Sequence, residues 1–420
     1  MYQKSTLSNG LRIVTITMPH TRSVTVSIMV GAGARYEMPA EAGISHFIEH
    51  MCFKGTERRP TAKDVSETIE GVGGFMNATT DHEMTAYWCK VPQAYFLLSL
   101  DLLVDMLRNS TFDPLEVEKE RKVVQEELRS TNDSPQQQVD LLIDEVVWPD
   151  QPLGRDVGGT EQSTTAITRE MLLGYMAGQY VPNNVVLSVA GNVTHQQVIE
   201  AAEKATAGWK SGSPRAWLPS QNGQTEPRMK ITSRRTEQTH LCLAVRGIHA
   251  NHPDRQTLDL LDVVLGGSAT SRLFLELREK RGLAYDVHSY ASYYRDAGSI
   301  NVYAGVKPAS TFDAIDCILS EVQRLKERVP DAEIQKAKEI IKGRLLLRME
   351  DNRSVAGWAG AQELLTGQIK TVDEVTAAVE AINSDKLQQV ATDLIRTDKL
   401  NLAVVGPFRS EKRFQRLMKV

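Results

Sequence analysis

Two histidines and a glutamate in the run Ser45-His-Phe-Ile-Glu-His-Met51 hold the densest chemistry in this 420-residue chain. His46, Glu49 and His50 spell H-x-x-E-H, the reverse order of the H-E-x-x-H zinc signature. On a helix, residues at i and i+4 leave the same face about one turn apart, so both imidazoles can fill corners of a tetrahedral zinc site. Glu49 is one residue from His50 and three from His46. From there it can reach a water on the metal without ligating the metal, the place of a hydrolase's general base. The pentapeptide also reads as a core helix that happens to carry two of the chain's nine histidines.

A catalytic zinc needs a third protein ligand and one open position. The best downstream candidate lies in the helical stretch from Asp113 to Leu128, where Asp113 and Pro114 make a sound N-cap and N1 pair. Val117, Glu120, Val124, Glu127 and Thr131 fall on one stripe, with Glu120 and Glu127 two turns apart. Glu126 is rotated about 100° from Glu127 and reads as a solvated neighbour. A carboxylate on a partly apolar stripe needs a partner, because burying an unpaired charge is costly. A metal would supply one. The other reading is a charged helix with Glu–Lys pairs, which accounts for Glu116 and Lys119 but poorly for Glu127.

On these residues the chain resembles the pitrilysin, insulysin and mitochondrial processing peptidase family, the inverzincins, whose signature is H-x-x-E-H followed downstream by a glutamate. The surroundings, Ala42-Gly-Ile-Ser before the motif, Met51-Cys-Phe-Lys-Gly-Thr56 after it and Glu120-Arg121 seven residues before Glu127, are similar too. The likeness runs over essentially the whole chain and is nearest to the single-unit bacterial members. It implies that His46, His50 and Glu127 bind one Zn2+ per chain, that Glu49 activates the water, and that Glu120 supports a ligand from behind. Outer carboxylates of that kind orient ligating imidazoles.

These residues must be held by a larger frame, and the chain is long enough for two domains of about 200 residues. It also repeats itself at an offset of 215–217. Glu116–Leu128 lines up with Glu333–Leu345, Val185–Gly191 with Leu400–Gly406, and Thr85–Leu107 with the stretch from Ile300 to Val322. One supersecondary layout is used twice: strands, then long amphipathic helices, then a late strand, which reads as α+β with a mainly antiparallel sheet against helices in each copy. The expected division is residues 1–210, a Ser-, Gly-, Pro- and Gln-rich linker at 211–227, and residues 228–420. In the second copy Ala337 stands for Glu120 and Arg344 for Glu127, and Asp262–Gly266 carries no histidine. Only the first copy has the metal set.

Composition is that of a soluble globular protein, with 41% apolar and 24% charged residues. A net charge of −4 gives no footprint for nucleic acid or an anionic membrane, and no apolar run is long enough to span a bilayer. The N-terminus carries no signal-peptide or transit character. Cys52, Cys89, Cys242 and Cys317 are scattered without C-x-x-C and read as buried free thiols of a reducing compartment, with the cytoplasm as the default.

In the second half, Arg278 and Tyr285 lie in a polar stretch broken by Gly282. An arginine and a phenol can steady the oxyanion of a tetrahedral intermediate, and they can equally be a surface arginine and a packed tyrosine. The stretch is similar to the family's Arg…Tyr pair, which implies catalytic roles for both. In the family, two double-domain units face each other around a closed chamber. The resemblance therefore implies a dimer in which Arg278 and Tyr285 act in trans, a homodimer first and a heterodimer second. The long glycine-rich loop of the processing peptidase's partner subunit is reduced here to Gly266-Gly267 and is not carried over.

Gly71–Trp88 reads as a glycine-loosened turn running into a strand, which can be an ordinary core strand or can accept an extended peptide by strand addition. Asn77 and Ala78 match the family's substrate-binding strand. The reading as a whole is a zinc-dependent endopeptidase acting on peptides or unfolded segments. Its rival is a non-catalytic or partner-dependent subunit of a processing peptidase or assembly complex.

Overall fold

The computed structural model describes residues 2–420. The chain forms two compact units. One comprises the chain through Arg129, Asp156–Leu218 and Leu347–Thr371; the other comprises Ser130–Arg155, Pro219–Leu346 and Val372–Val420. Where the division expected from sequence keeps each half whole, these units exchange a helix. Pro135–Val147 packs on the second unit's sheet, and Asn352–Thr366 on the first unit's.

The first unit holds a six-stranded sheet of β1 (Tyr2–Thr6), β2 (Arg12–Thr17), β3 (Ser23–Val30), β4 (Phe75–Thr80), β5 (Thr85–Pro92) and β6 (Val185–Gly191), in the order β1-β2-β6-β3-β5-β4. The second holds β7 (Arg228–Ser233), β8 (Thr239–Arg246), β9 (Ala284–Tyr293), β10 (Gly298–Val306) and β11 (Leu400–Gly406), in the order β7-β11-β8-β10-β9. In each, a single parallel pair, β2·β6 or β7·β11, joins otherwise antiparallel ladders. The repeat read from sequence is thus a repeat of topology: β6 and β11, Ile44–Cys52 and Arg255–Leu265, and Pro114–Asp133 and Asp331–Arg348 are counterparts.

The central strands β3, β6, β10 and β11 are buried along nearly their whole length, because both faces are covered. One face of the first sheet packs a core built from Val24, Val26, Ile28 and Leu187 with Phe47, Ile48, Leu103 and Met106. The exchanged helix lies on the other face with small residues. A Cβ on Gly360 would meet Met29 and Ser188 at 2.8 Å, and Ser188 donates to the Ala356 carbonyl at 2.8 Å. In the second unit, Val139, Leu142, Ile143 and Val147 cover Cys242, Ala244, Ala403 and Val405 in the same way. All four cysteines are buried and free. Among the described residues no helix is long and apolar enough to cross a membrane.

A buried carboxylate anchors the turn that leaves the motif helix. Asp105 accepts from Thr56 Oγ1 at 2.7 Å, Arg59 at 2.5 Å, Arg58 at 3.1 Å and Asn109 at 2.8 Å. Burial pushes its pKa up, but these four donors together outweigh burial and hold it below the usual carboxylate value. Asp105→Ala leaves the buried Thr56 hydroxyl and Asn109 without their acceptor, while Arg59 keeps Asp101 at 2.8 Å, and should cost about 1–3 kcal/mol in urea unfolding at pH 7. A carboxyl depressed in the folded state stabilises above its unfolded pKa, about 3.9, and loses that stabilisation as pH falls through the folded value. The gap between variant and parent should therefore narrow in acid; a gap independent of pH would contradict the assignment.

Candidate metal centre

The motif helix, Ile44–Cys52, buries Ile44, Phe47, Ile48, Met51 and Cys52. That i, i+3, i+4, i+7 stripe fixes its rotation and turns His46, Glu49 and His50 to the opposite, partly open face. Its N-terminus is pinned by Glu37, whose carboxylate accepts from the backbone amides of Gly43 at 2.8 Å and Ser45 at 2.9 Å. An anion there is also favoured by the helix dipole. Gly43 has φ +90°, and a Cβ on it would collide with the Gly158 carbonyl, so the helix entry requires glycine on both counts.

The helix Pro114–Asp133 begins as expected, with Asp113 Oδ1 capping Leu115 at 2.8 Å and Glu116 at 3.3 Å. Glu116 pairs with Lys119 at 2.5 Å, and the solvated Glu126 lies 3.5 Å from Arg129. Its buried stripe is Val117, Glu120, Val124 and Leu128. Glu127 is thus not on that stripe, as its spacing suggested, but on the rim beside it, with its side chain half exposed. The stripe steps by four from Val124 to Leu128, which rotates Glu127 out of the core and toward the histidines.

There His46, His50 and Glu127 each offer a ligand atom, all within 4.8 Å of one another. Glu127 Oε2 is 3.5 Å from His50 Nε2 and 3.9 Å from His46 Nε2. The imidazoles stand edge to face with centroids 4.6 Å apart. Behind them, Glu120 Oε2 meets His50 Nδ1 at 3.1 Å, and Lys54 Nζ meets Glu120 Oε1 at 2.6 Å. Glu120 therefore fixes the ring whose other nitrogen faces Glu127. Lys54 was not singled out from sequence, although its i+4 spacing from His50 is the available signal.

Burial, and then the neighbouring His50, push the His46 pKa down to about 4. That keeps the ring neutral at pH 7, and in the form that ligates through Nε2 its single proton sits on Nδ1, which is buried without a hydrogen-bond partner. A neutral imidazole is the form that ligates. For His50 burial also lowers the pKa, but the bond to Glu120 and the charges of Glu127 and Glu49 outweigh it and the net shift is upward. Burial raises the Glu49 pKa, only partly offset by the hydroxyl of Thr80, whose Oγ1 lies 2.5 Å from Glu49 Oε2. Burial would raise Glu120 too, yet His50 and Lys54 pull it below its ordinary value. Two imidazoles and a carboxylate, one ring neutral and the other oriented by a carboxylate, are a donor set that suits zinc.

A match to the Insulinase (Peptidase family M16) description covers residues 12–161, and one to Peptidase M16 inactive domain covers residues 166–341. A Bacillus subtilis protein named uncharacterized zinc protease YmxG is 36% identical over 97% of this chain and 98% of its own length. The chain belongs to peptidase family M16. A second member named uncharacterized zinc protease, from Streptomyces coelicolor, is 35% identical over 98% of this chain and 90% of its own length. The fold is shared with a protease from Helicobacter pylori, at TM-score 0.91 and 23% identity over 97% of this chain and 99% of that one. It is shared also with a chain of complex III2 from Candida albicans, at TM-score 0.85 and 18% identity over the full length of both.

The remaining candidates divide between the units. Asn77 and Ala78 lie on β4, which pairs only with β5 and so forms a sheet edge. The Ala78 amide donates to Asn77 Oδ1 at 2.8 Å rather than to a neighbouring strand. In the second unit a π-helical turn, Phe274–Lys280, carries Arg278. Its guanidinium lies 4.8 Å from the centre of the Tyr285 ring and 4.9 Å from that of Phe274. Tyr285 is 77% exposed at the start of β9, another sheet edge. Helix turns of this wide type recur at functional sites.

Proposed function

We propose that this M16 chain is a zinc-dependent endopeptidase of the cytoplasm. On this reading it holds one Zn2+ through His46, His50 and Glu127 and works as a dimer around an enclosed chamber. The observation that carries the reading is the convergence of these three donors within 4.8 Å, with Glu49 beside them and anchored by a hydroxyl. The names of the relatives support zinc and proteolysis. The four buried, free cysteines support a reducing compartment.

A zinc ion bound there supplies Lewis acidity, polarising a peptide carbonyl and making an adjacent water acidic. Glu49 removes the proton of that water and hands it to the leaving amine nitrogen; the upward shift of its pKa by burial suits a group that must hold the proton between the two steps. Glu120, tied to Lys54, keeps His50 Nδ1 occupied so that Nε2 faces the metal position. The substrate backbone adds to the free edge of β4 at Asn77 and Ala78, giving sequence-tolerant affinity for peptides and unfolded segments. Peptide binding then requires Asn77 to release the Ala78 amide. Arg278 and Tyr285 of a second subunit steady the carbonyl oxygen as charge develops on it.

The purified chain should cleave an unstructured peptide, lose the activity to a chelator and regain it with stoichiometric zinc. A metal-loaded protein with no turnover would instead favour a partner-dependent subunit.

A further inference from the structure

We infer that Thr80 is a positioning residue for the general base, holding the rotamer of Glu49 from the strand proposed to carry the substrate. The inference rests on the endopeptidase reading and concerns a residue outside the ligand set.

Thr80 closes β4, directly opposite Thr85 of β5. Its hydroxyl has one proton to give, and a carboxylate oxygen at 2.5 Å takes it in a charge-assisted bond. Thr85 packs beside it, with its Oγ1 3.3 Å away and its own proton donated to the Ala32 carbonyl at 3.1 Å, so the Thr80 proton is the one that serves Glu49. Thr85 is fully buried, and both threonines are stiff at χ1 because they branch at Cβ. Glutamate, by contrast, has a long and mobile side chain whose rotamer freedom has to be given up for chemistry. The Thr80 bond supplies that restraint before substrate arrives. It occupies one carboxylate oxygen and leaves the other for the proton of the attacking water.

The placement has a second consequence. β4 is an edge strand, so a peptide that adds to it takes its register from the same backbone that carries Thr80. The scissile bond and the base are then aligned by one strand. Misplacement of a reacting group by about 1 Å can cost 10²-fold in rate, so the hydroxyl should act on turnover and not on affinity.

Thr80→Val removes the donor and keeps the shape, Thr80→Ser keeps the donor, and Thr80→Ala is a second donor-free variant should valine fold poorly. The expected result is a kcat lower by about 10–100-fold in the valine and alanine variants, the size of effect seen when outer partners of a metal site are lost. KM and zinc content should stay unchanged, and serine should restore turnover. Crystal structures should show the Glu49 carboxylate displaced in the valine variant and in place in the serine variant. Unchanged kcat without the hydroxyl, or a serine variant as impaired as valine, would overturn the inference. If the parent chain cleaves nothing, the endopeptidase reading fails on its own, and the crystal structures alone judge Thr80. Glu49 unmoved in the valine variant would then refute it.

Discussion

Glu49→Gln should lower peptide turnover by about 10²–10⁴-fold, the usual worth of a positioned proton-transfer group, while the protein keeps its zinc. Glutamine has the same length and shape, and its carbonyl oxygen can still accept from Thr80. What it lacks is a basic oxygen. Glu49 is not among the three donors that converge, so metal content should be insensitive to the change. The variant also serves as one half of a complementation test. If Arg278 and Tyr285 act in trans, mixing the inactive Glu49→Gln chain with an inactive Arg278→Ala chain rebuilds an intact site at one position of the mixed dimer, and activity reappears. If they act in cis, no mixture is active. Turnover retained by Glu49→Gln alone would remove this carboxylate from the mechanism.

Glu127→Ala should release the metal, whereas Glu126→Ala should bind it as the parent does. The two carboxylates are adjacent in sequence and both on the outer part of one helix. Geometry separates them: Glu127 Oε2 lies 3.5 Å and 3.9 Å from the two imidazole Nε2 atoms, and Glu126 turns to Arg129. Losing Glu127 leaves two imidazoles on one helix, one ligand short of a catalytic zinc site. The loss in affinity should exceed the 10–100-fold typical of an outer partner such as Glu120. Equal zinc content in the two alanine variants would mean that the carboxylate was assigned wrongly.

The motif helix was legible because two periodicities agree on it. Apolar residues at 44, 47, 48 and 51 set its buried face, and the histidine spacing sets the other. The shared topology was legible from the repeat, and the absence of ligands in the second copy from Ala337 and Arg344. The exchanged helices were not. Val139, Leu142, Ile143 and Val147 announce an apolar face, but a face does not say which sheet it will cover. Nor was the exposure of Glu127, because an ideal stripe read at spacings of three and four cannot choose between 127 and 128 as its next buried position. Thr80 and Lys54 were missed for different reasons. Lys54 follows His50 by one helical turn and could have been found. Thr80 meets Glu49 only because strand β4 returns beside the helix, 31 residues later in the chain, and no local pattern marks such a contact.

The proposed chemistry depends on one divalent cation held by two imidazoles from a single helical turn and a carboxylate from a second helix. Zinc X-ray absorption on the purified chain, with metal-to-protein stoichiometry measured on the same sample, tests it most directly. One zinc per chain is expected, with a first shell of nitrogen and oxygen, two imidazole scattering signatures and no sulfur. A chain that takes up no zinc at equimolar supply, or a shell containing sulfur or a single imidazole, would contradict it.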